Sequence, residues 1–352
     1  MKQIIEKYTN QIKEYINEFL NQQGDHFSSI NSWGDDLITR LRRYSSNGKL
    51  LRGSLVLLVL DLYKHPIDEN ALKISSALEL FHSALLIHDD IMDNDKLRRG
   101  LPAMHYQFQQ FGESRDFSDA KSFGSSMGIC VGDMCIFLGF ILISSLTVNS
   151  EYKSSILELI SREFASVGLG QMQDVYFSHS PVDPTEEDIC QLYLYKTARY
   201  SFSLPLCLGG MLVSLPVGEL NIMEKFGEAL GIIFQIKDDE LELFGNMDGF
   251  GKPVGSDIEE GKKTLYYTTL MRLCTEDERK NFLNINSNKN ITIETIRFIQ
   301  DIMEKYHIHE IIKAVYNQYQ LKAQEFLSEL ELEDKDKLVL QDLISYNLKR
   351  TR

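Results

Sequence analysis

The sequence predicts an all-α protein, and three observations carry that expectation. Apolar residues recur at three- and four-residue intervals almost from end to end. No stretch keeps the alternation of a half-buried strand, and no strand–helix–strand rhythm is present. Proline and glycine fall mostly between the periodic runs, at Pro66, Gly100 with Pro102, Pro181 with Pro184, Pro216, and Gly251 with Pro253. A chain of 352 residues is long enough for two domains. It has no Pro/Gly/Ser-rich linker, composition shift or repeat, so a single helical domain over 1–352 is expected.

The first expected helix, 2–22, places Ile4, Tyr8, Ile12, Tyr15 and Phe19 on one face, and its scattered charges leave no apolar block of the signal-peptide kind. Helices over 34–44 and 51–63 follow, then 68–95, which must end before Gly100 and Pro102. The helix at 119–147 contains MGICVGDMCIFLGFILISSL, close to the length of a membrane span. Asp133 is costly at bilayer depth and no second span accompanies it, so this is expected to be a helix buried at the centre of a bundle. Helices over 151–176, 186–213, 219–245, 262–274, 292–305, 308–329 and 333–348 complete the chain. Pro205 lies inside 186–213 and bends it, either harmlessly or so as to turn freed carbonyls toward a cavity.

A net charge of −14 argues against nucleic acid or an anionic membrane surface as partner, and stable membrane insertion is not expected. The five cysteines are odd in number and show no CxxC spacing, which reads as reduced core thiols. With the charged N-terminal helix this makes the expected location cytoplasmic.

The chemistry is concentrated in two acidic clusters, Asp89-Asp90-Ile91-Met92-Asp93 and Asp238-Asp239-Glu240-Leu241-Glu242. In each, the first and last carboxylates are spaced i,i+4 and share a helix face, where they repel unless a cation lies between them. Hard oxygen donors with room for water and phosphate suit magnesium. One such cluster alone is as well explained by a solvated acidic surface. Two, with Lys49, Arg52, Arg98, Arg99, Lys196, Lys252 and Lys262 as companions, point to a magnesium-bound polyphosphate held between opposed acidic faces. The histidines are scattered and no HExxH is present, so nothing suggests zinc.

The segments GKLLRG, ELFHSALLIHDDIMDNDKLRRG, GQMQD, YKTA, FQIKDDELELFG and GKPVGSDIEEGKKT occur in this order between Lys49 and Lys263 or immediately beside them. In this the chain resembles the trans-isoprenyl diphosphate synthases, the short-chain polyprenyl synthetases such as geranylgeranyl and farnesyl diphosphate synthases. The resemblance implies an isoprenoid (terpenoid) synthase bundle with a central active-site cavity. It implies a prenyltransferase of isoprenoid biosynthesis in which an allylic diphosphate (dimethylallyl, geranyl or farnesyl) ionises, isopentenyl diphosphate attacks the cation, and proton loss gives a longer trans-allylic diphosphate. Asp89 and Asp93 would hold two magnesium ions and Asp238 a third, supported by Asp90, Asp239 and Glu242. Arg98, Lys196, Lys252 and Lys262 would grip the allylic diphosphate. Lys49, Arg52, His82 and Arg99 would hold isopentenyl diphosphate. Thr197 and Gln235 resemble the polar groups near the cation, and Gln171 and Asp174 a pair lining the same cavity. A homodimer is also implied.

Two departures stand out. Glu242 replaces the more usual Asp, and in the first basic motif Leu50 and Gly53 stand where the family more often has Arg and Pro. A class I terpene cyclase is disfavoured because its second motif mixes Asn, Ser and Glu and because Lys49, Arg52 and His82 would be idle. A non-catalytic subunit is disfavoured because both acidic clusters are kept. In related enzymes a bulky side chain five residues before the first Asp floors the product cavity at fifteen carbons. Here that position is Ala84, beside Leu85, and the next large residue, Phe81, lies three residues or about 4.5 Å deeper. That is near one isoprene unit, so a twenty-carbon product, geranylgeranyl diphosphate, is expected, with farnesyl or a chain of twenty-five carbons or more as the alternative.

Overall fold

The computed structural model describes residues 1–244, 256–288 and 292–348. Lys252 and the basic end Lys349-Arg350-Thr351-Arg352 lie outside the described residues. The chain divides into two compact units, Met1–Glu158 with Pro205–Leu215, and Leu159–Leu204 with Pro216–Arg352.

The first unit contains α1 (Lys2–Ile30), α2 (Trp33–Ser46), α3 (Leu51–Leu62), α4 (Glu69–Met92), α5 (Met104–Glu113) and α6 (Ala120–Ser144). The start of α7 (Ser150–His179) and, from Pro205 onward, α9 (Leu204–Leu212) also belong to it. α4 is its most enclosed long helix, buried from Ala71 to Ala84 except at Leu72 and packed by α1, α3, α5 and α6. Asp68 caps its start, accepting from the Ala71 N–H at 2.9 Å. Between α4 and α5 a small hairpin pairs β1 (Leu97–Arg98) with β2 (Leu101–Pro102). Its turn residues Arg99 and Gly100 both have positive φ, 54° and 75°, as a two-residue hairpin of primed type demands.

α6 was expected at the centre of a bundle. Instead it is covered on one side, against α4 and α5, while Ile129, Phe137 and Ile141 are exposed on the other. The covered side approaches α4 through glycine. A Cβ on Gly132 would lie 2.2 Å from His88 Nε2, and one on Gly139 would lie 2.6 Å from the Phe81 ring.

The second unit holds the rest of α7, α8 (Glu186–Tyr193), a π-helical segment Leu194–Ser203, α10 (Val217–Phe244), α11 (Ser256–Glu260), α12 (Leu265–Leu273), α13 (Glu276–Asn288), α14 (Ile293–Lys305), α15 (Ile308–Glu329) and α16 (Asp334–Leu348). Its core includes Ile189, Leu192, Tyr193, Ile232, Ile236, Tyr266 and Ile312. The π segment is where the expected single helix 186–213 departs from α geometry. The Leu204 N–H donates to Arg199 O, five residues back. An α-helical register would press the Pro205 ring against the Ser201 carbonyl, and the wider turn just before the proline avoids this. The wide turn packs on small residues: a Cβ on Gly231 would meet Ala198 Cα at 2.3 Å, and one on Gly170 would meet Lys196 N at 2.8 Å.

Most expected helices are present with ends displaced by a few residues, α1 running eight residues further than expected. α5, α11 and α13 were not expected. All are short: α11 is five residues, MHYQFQQFGE keeps Met104, Phe108 and Phe111 on one face for under about three turns, and EDERKNFLNINSN carries few apolar residues.

Candidate active site

In the first unit the acidic cluster closes α4. Asp89 is in its last turn, and Asp93 is the residue after Met92, its N–H donating to Asp89 O at 2.9 Å. Both are partly exposed. Asp90 is different. It is fully buried, and Oδ1 accepts from Arg98 Nε at 2.6 Å while Oδ2 has no hydrogen-bond partner. Burial pushes its carboxyl up to about 6, against the pull of Arg98. Arg98 also approaches Asp95 at 3.4 Å and Asp89 at 3.7 Å. The hairpin thus delivers this arginine onto the acids that precede it.

The other basic residues of this unit gather at the start of α3. Thr9 Oγ1 donates to Lys49 O at 2.7 Å and fixes the backbone there, with the Lys49 side chain exposed. Arg99 reaches back across Gly48, donating from Nη1 to Asn47 O at 3.1 Å. His82 is buried one helical stretch before the acids, and burial, then the charge of Arg52 and Arg99, holds its imidazole well below the usual histidine range. It is therefore neutral, a hydrogen-bonding group and not a cation. Lys49, Arg52, His82 and Arg99 are thus brought to one neighbourhood. Two residues of that neighbourhood went unread in the sequence. Glu79 is buried beneath Arg52, and the Tyr44 hydroxyl is buried without a hydrogen-bond partner. A carboxylate inside the apolar run SALELFH was a visible signal for the first; nothing marked the second.

In the second unit the acids sit on the last turns of α10. Asp238 and Glu242 are partly exposed, while Asp239 is buried. Asp239 accepts from Gln235 Nε2 at 2.8 Å and from the Tyr193 hydroxyl, which in turn accepts from the Leu265 N–H at 3.0 Å. Both clusters therefore split the same way: the first and fifth acids are open and the second is turned inward. Gln235 Oε1 accepts from Thr197 Oγ1 at 2.8 Å. The threonine hydroxyl has committed its proton, so only lone pairs remain to face a positive charge. Lys196 is paired with Asp174, which joins GQMQD to YKTA. Lys262 forms an ion pair with Glu260 at 2.5 Å. Lys263 is tied to Ser180 O and Val182 O at 2.8 and 3.0 Å, a structural role.

Phe81, the expected floor, is buried edge-to-face against Phe140 of α6 with ring centroids 5.1 Å apart. Ala84 is buried and Leu85 partly exposed.

The architecture is that of the all-α isoprenoid synthases. A solved structure of geranylgeranyl pyrophosphate synthase from Corynebacterium glutamicum, complexed with isoprenyl diphosphate and magnesium, is similar with a TM-score of 0.91 and 25% identity, covering 98% of this chain and 99% of that one. A geranylgeranyl diphosphate synthase of Sulfolobus acidocaldarius is 32% identical over 301 residues, 84% of this chain and 85% of its own. A farnesyl diphosphate synthase of Micrococcus luteus is 30% identical over 262 residues, 73% and 81%. The polyprenyl synthetase family model matches residues 35–303, and the chain belongs to that family.

Proposed function

We propose that the protein is a magnesium-dependent trans-prenyltransferase that condenses isopentenyl diphosphate with an allylic diphosphate, and that its product is geranylgeranyl diphosphate. The observation that carries this reading is the paired arrangement of open carboxylates, Asp89 with Asp93 and Asp238 with Glu242, each pair at a helix end beside an inward acid that is hydrogen-bonded away. The donor set is all carboxylate oxygen, without thiol or imidazole, which fits magnesium and not zinc. Asp89, Asp93 and Asp238 would hold the metal, three ions in all. Bound there, magnesium stabilises the negative charge that grows on the departing diphosphate.

The chain's own residues supply the rest. Arg98, Lys196 and Lys262 are committed to carboxylates in the free protein, and a diphosphate would compete for them. Lys49, Arg52, Arg99 and neutral His82 hold isopentenyl diphosphate. The Thr197–Gln235 pair offers oxygen lone pairs to the allylic cation and no acidic proton that would quench the attacking alkene. The exposed apolar side of α6 supports a homodimer. The twenty-carbon product is favoured over fifteen by Ala84, which leaves no bulk at that position, and over longer products by the Phe81–Phe140 pair.

The test is product chromatography after incubation with isopentenyl diphosphate, magnesium and each allylic primer in turn. A twenty-carbon diphosphate from every primer, abolished by chelation, is expected. A hydrocarbon from one substrate alone, or no turnover in a folded protein, would refute the assignment.

A further inference from the structure

Helix α3 begins without a cap of its own. Its N-cap residue, Leu50, is left-handed with φ 45° and has no side-chain oxygen, and the first helical bond runs from Ser54 N to Leu50 O at 3.0 Å. The amides of Leu51, Arg52 and Gly53 therefore find no acceptor within the helix. The acceptor comes from another helix. Glu79 Oε1 accepts from the Gly53 N–H at 2.8 Å, and the Arg52 N–H is a second donor to the same carboxylate. Glu79 is 2% exposed and lies one turn before His82 on α4.

The contact is held from both sides. Ser75 Oγ donates to Gly53 O at 3.1 Å, and a Cβ at Gly53 would lie 2.8 Å from Ser75 O, so residue 53 cannot retreat from α4 or carry a side chain. Its N–H is needed too, since a proline at 53 would bring no donor. Burying a carboxylate is costly unless it is paired and hydrogen-bonded. Here burial still holds the carboxyl above the usual carboxylate range, and the charge of Arg52, the two amides and the charge of Arg99 offset part of that cost. A neutral cap at residue 50 would have closed the helix more simply.

What a carboxylate does that a neutral cap does not is exclude anions. A free helix N-terminus is itself an attractive seat for phosphate. With Glu79 in that seat, a diphosphate must stay on the side chains that flank it. We propose that Glu79 is a positioning residue of the isopentenyl diphosphate site, closing the first turn of α3 from the neighbouring helix and thereby fixing where Arg52 presents its charge. The inference rests on the reading that Lys49 and Arg52 hold isopentenyl diphosphate.

The experiment compares Glu79→Gln, Arg52→Ala and the double variant in the full-length protein. It measures the affinity for isopentenyl diphosphate by titration calorimetry without magnesium, and the KM for each substrate with it. Glu79→Gln should raise the Kd and KM for isopentenyl diphosphate at least tenfold and change the allylic KM less than twofold. Added to Arg52→Ala, it should cost less than a further twofold, because the residue through which it acts is gone. Equal losses for both substrates, or full additivity in the double variant, would reduce Glu79 to a fold-stabilising group and overturn the proposal. If Arg52→Ala and Lys49→Ala leave isopentenyl diphosphate affinity unchanged, the reading of the site itself fails, an outcome visible without any Glu79 variant. Should Glu79→Gln not fold, Glu79→Asp tests the reach of the carboxylate in place of its charge: it is too short to close the first turn, and the same selective loss for isopentenyl diphosphate is expected, with equal losses for both substrates again overturning the proposal.

Discussion

Replacing Arg199 by methionine should destabilise the protein by about 3–5 kcal/mol near neutral pH, the range for stripping one partner from a buried ion pair. Arg199 lies in the π segment and fans out to three carboxylates. Nε and Nη2 bond Glu163 of α7 at 2.9 and 2.7 Å, Nη2 also bonds Glu224 of α10 at 2.6 Å, and Nη1 bonds Glu228 of α10. Glu163 is 3% exposed and has the least access to water once the arginine is gone. Glu224 and Glu228 are partly exposed and can recover some hydration, which keeps the estimate at the single-pair range.

The loss should depend on pH, and its sign is fixed. Burial already holds the Glu228 carboxyl above the usual carboxylate range, with Arg199 pulling the other way. Without Arg199, the Glu228 carboxyl rises further. Above about pH 4.3, where an unfolded glutamate has released its proton, the folded variant still binds a proton there. Its stability therefore falls as pH rises through the elevated folded pKa of Glu228. Urea denaturation of wild type and Arg199→Met at pH 5 and pH 8 should show the larger deficit at pH 8. A deficit below about 1 kcal/mol, or one larger at pH 5, would refute the account. Thr197 is two residues away, so kcat should fall in the folded variant while the KM for isopentenyl diphosphate holds.

Asp89→Ala, Asp93→Ala and Asp238→Ala should each lower turnover by about a hundredfold or more at saturating magnesium, as expected when charge stabilisation of a leaving group is removed; near-normal turnover in folded Asp89→Ala would sink the metal assignment. Phe81→Ala should lengthen the product and Ala84→Tyr shorten it toward fifteen carbons, read by chromatography of the dephosphorylated alcohols. An unchanged distribution in both would show that α4 does not set the length. Phe137→Asp should convert a homodimer to monomers by light scattering, because a stable interface buries more than about 1,000 Å² and Phe137 is 65% exposed at the middle of the open face of α6. A wild-type protein that is already monomeric at micromolar concentration would remove the dimer.

Long helices were legible because their apolar stripes repeat over many turns, as in α4, α10 and α15. α5 and α13 were not, since ten and thirteen polar-rich residues give a stripe too little length to register. The enclosure of α6 was misjudged for a different reason. The composition of a helix apolar all round does not say which of its sides the rest of the chain covers. Pro205 was visible as a break in α geometry. Its consequence lay upstream, in ten residues of wider helix that are tolerated only because Gly170, Gly227 and Gly231 lie where the segment packs. A close approach between elements distant in sequence has no local signature.

The acids were legible as a set, but their division of labour was not drawn from the same pattern. Asp90 follows Ile87 by three residues, and Asp239 follows Ile236 by three. Ile87 and Ile236 are fully buried. Three residues along a helix return to the same face, so the periodicity that defines each core also turns the second acid of each cluster inward. An inward acid needs a donor from elsewhere, and the two clusters find different ones. Asp90 is met by the charged Arg98 from the hairpin, while Asp239 is met by the neutral Tyr193 hydroxyl and Gln235 amide. The positions of these donors depend on tertiary packing. Arg98 is eight residues on, but Tyr193 is forty-six residues back, and only the fold shows that the tyrosine in YLYKTARY serves the acid in KDDELE.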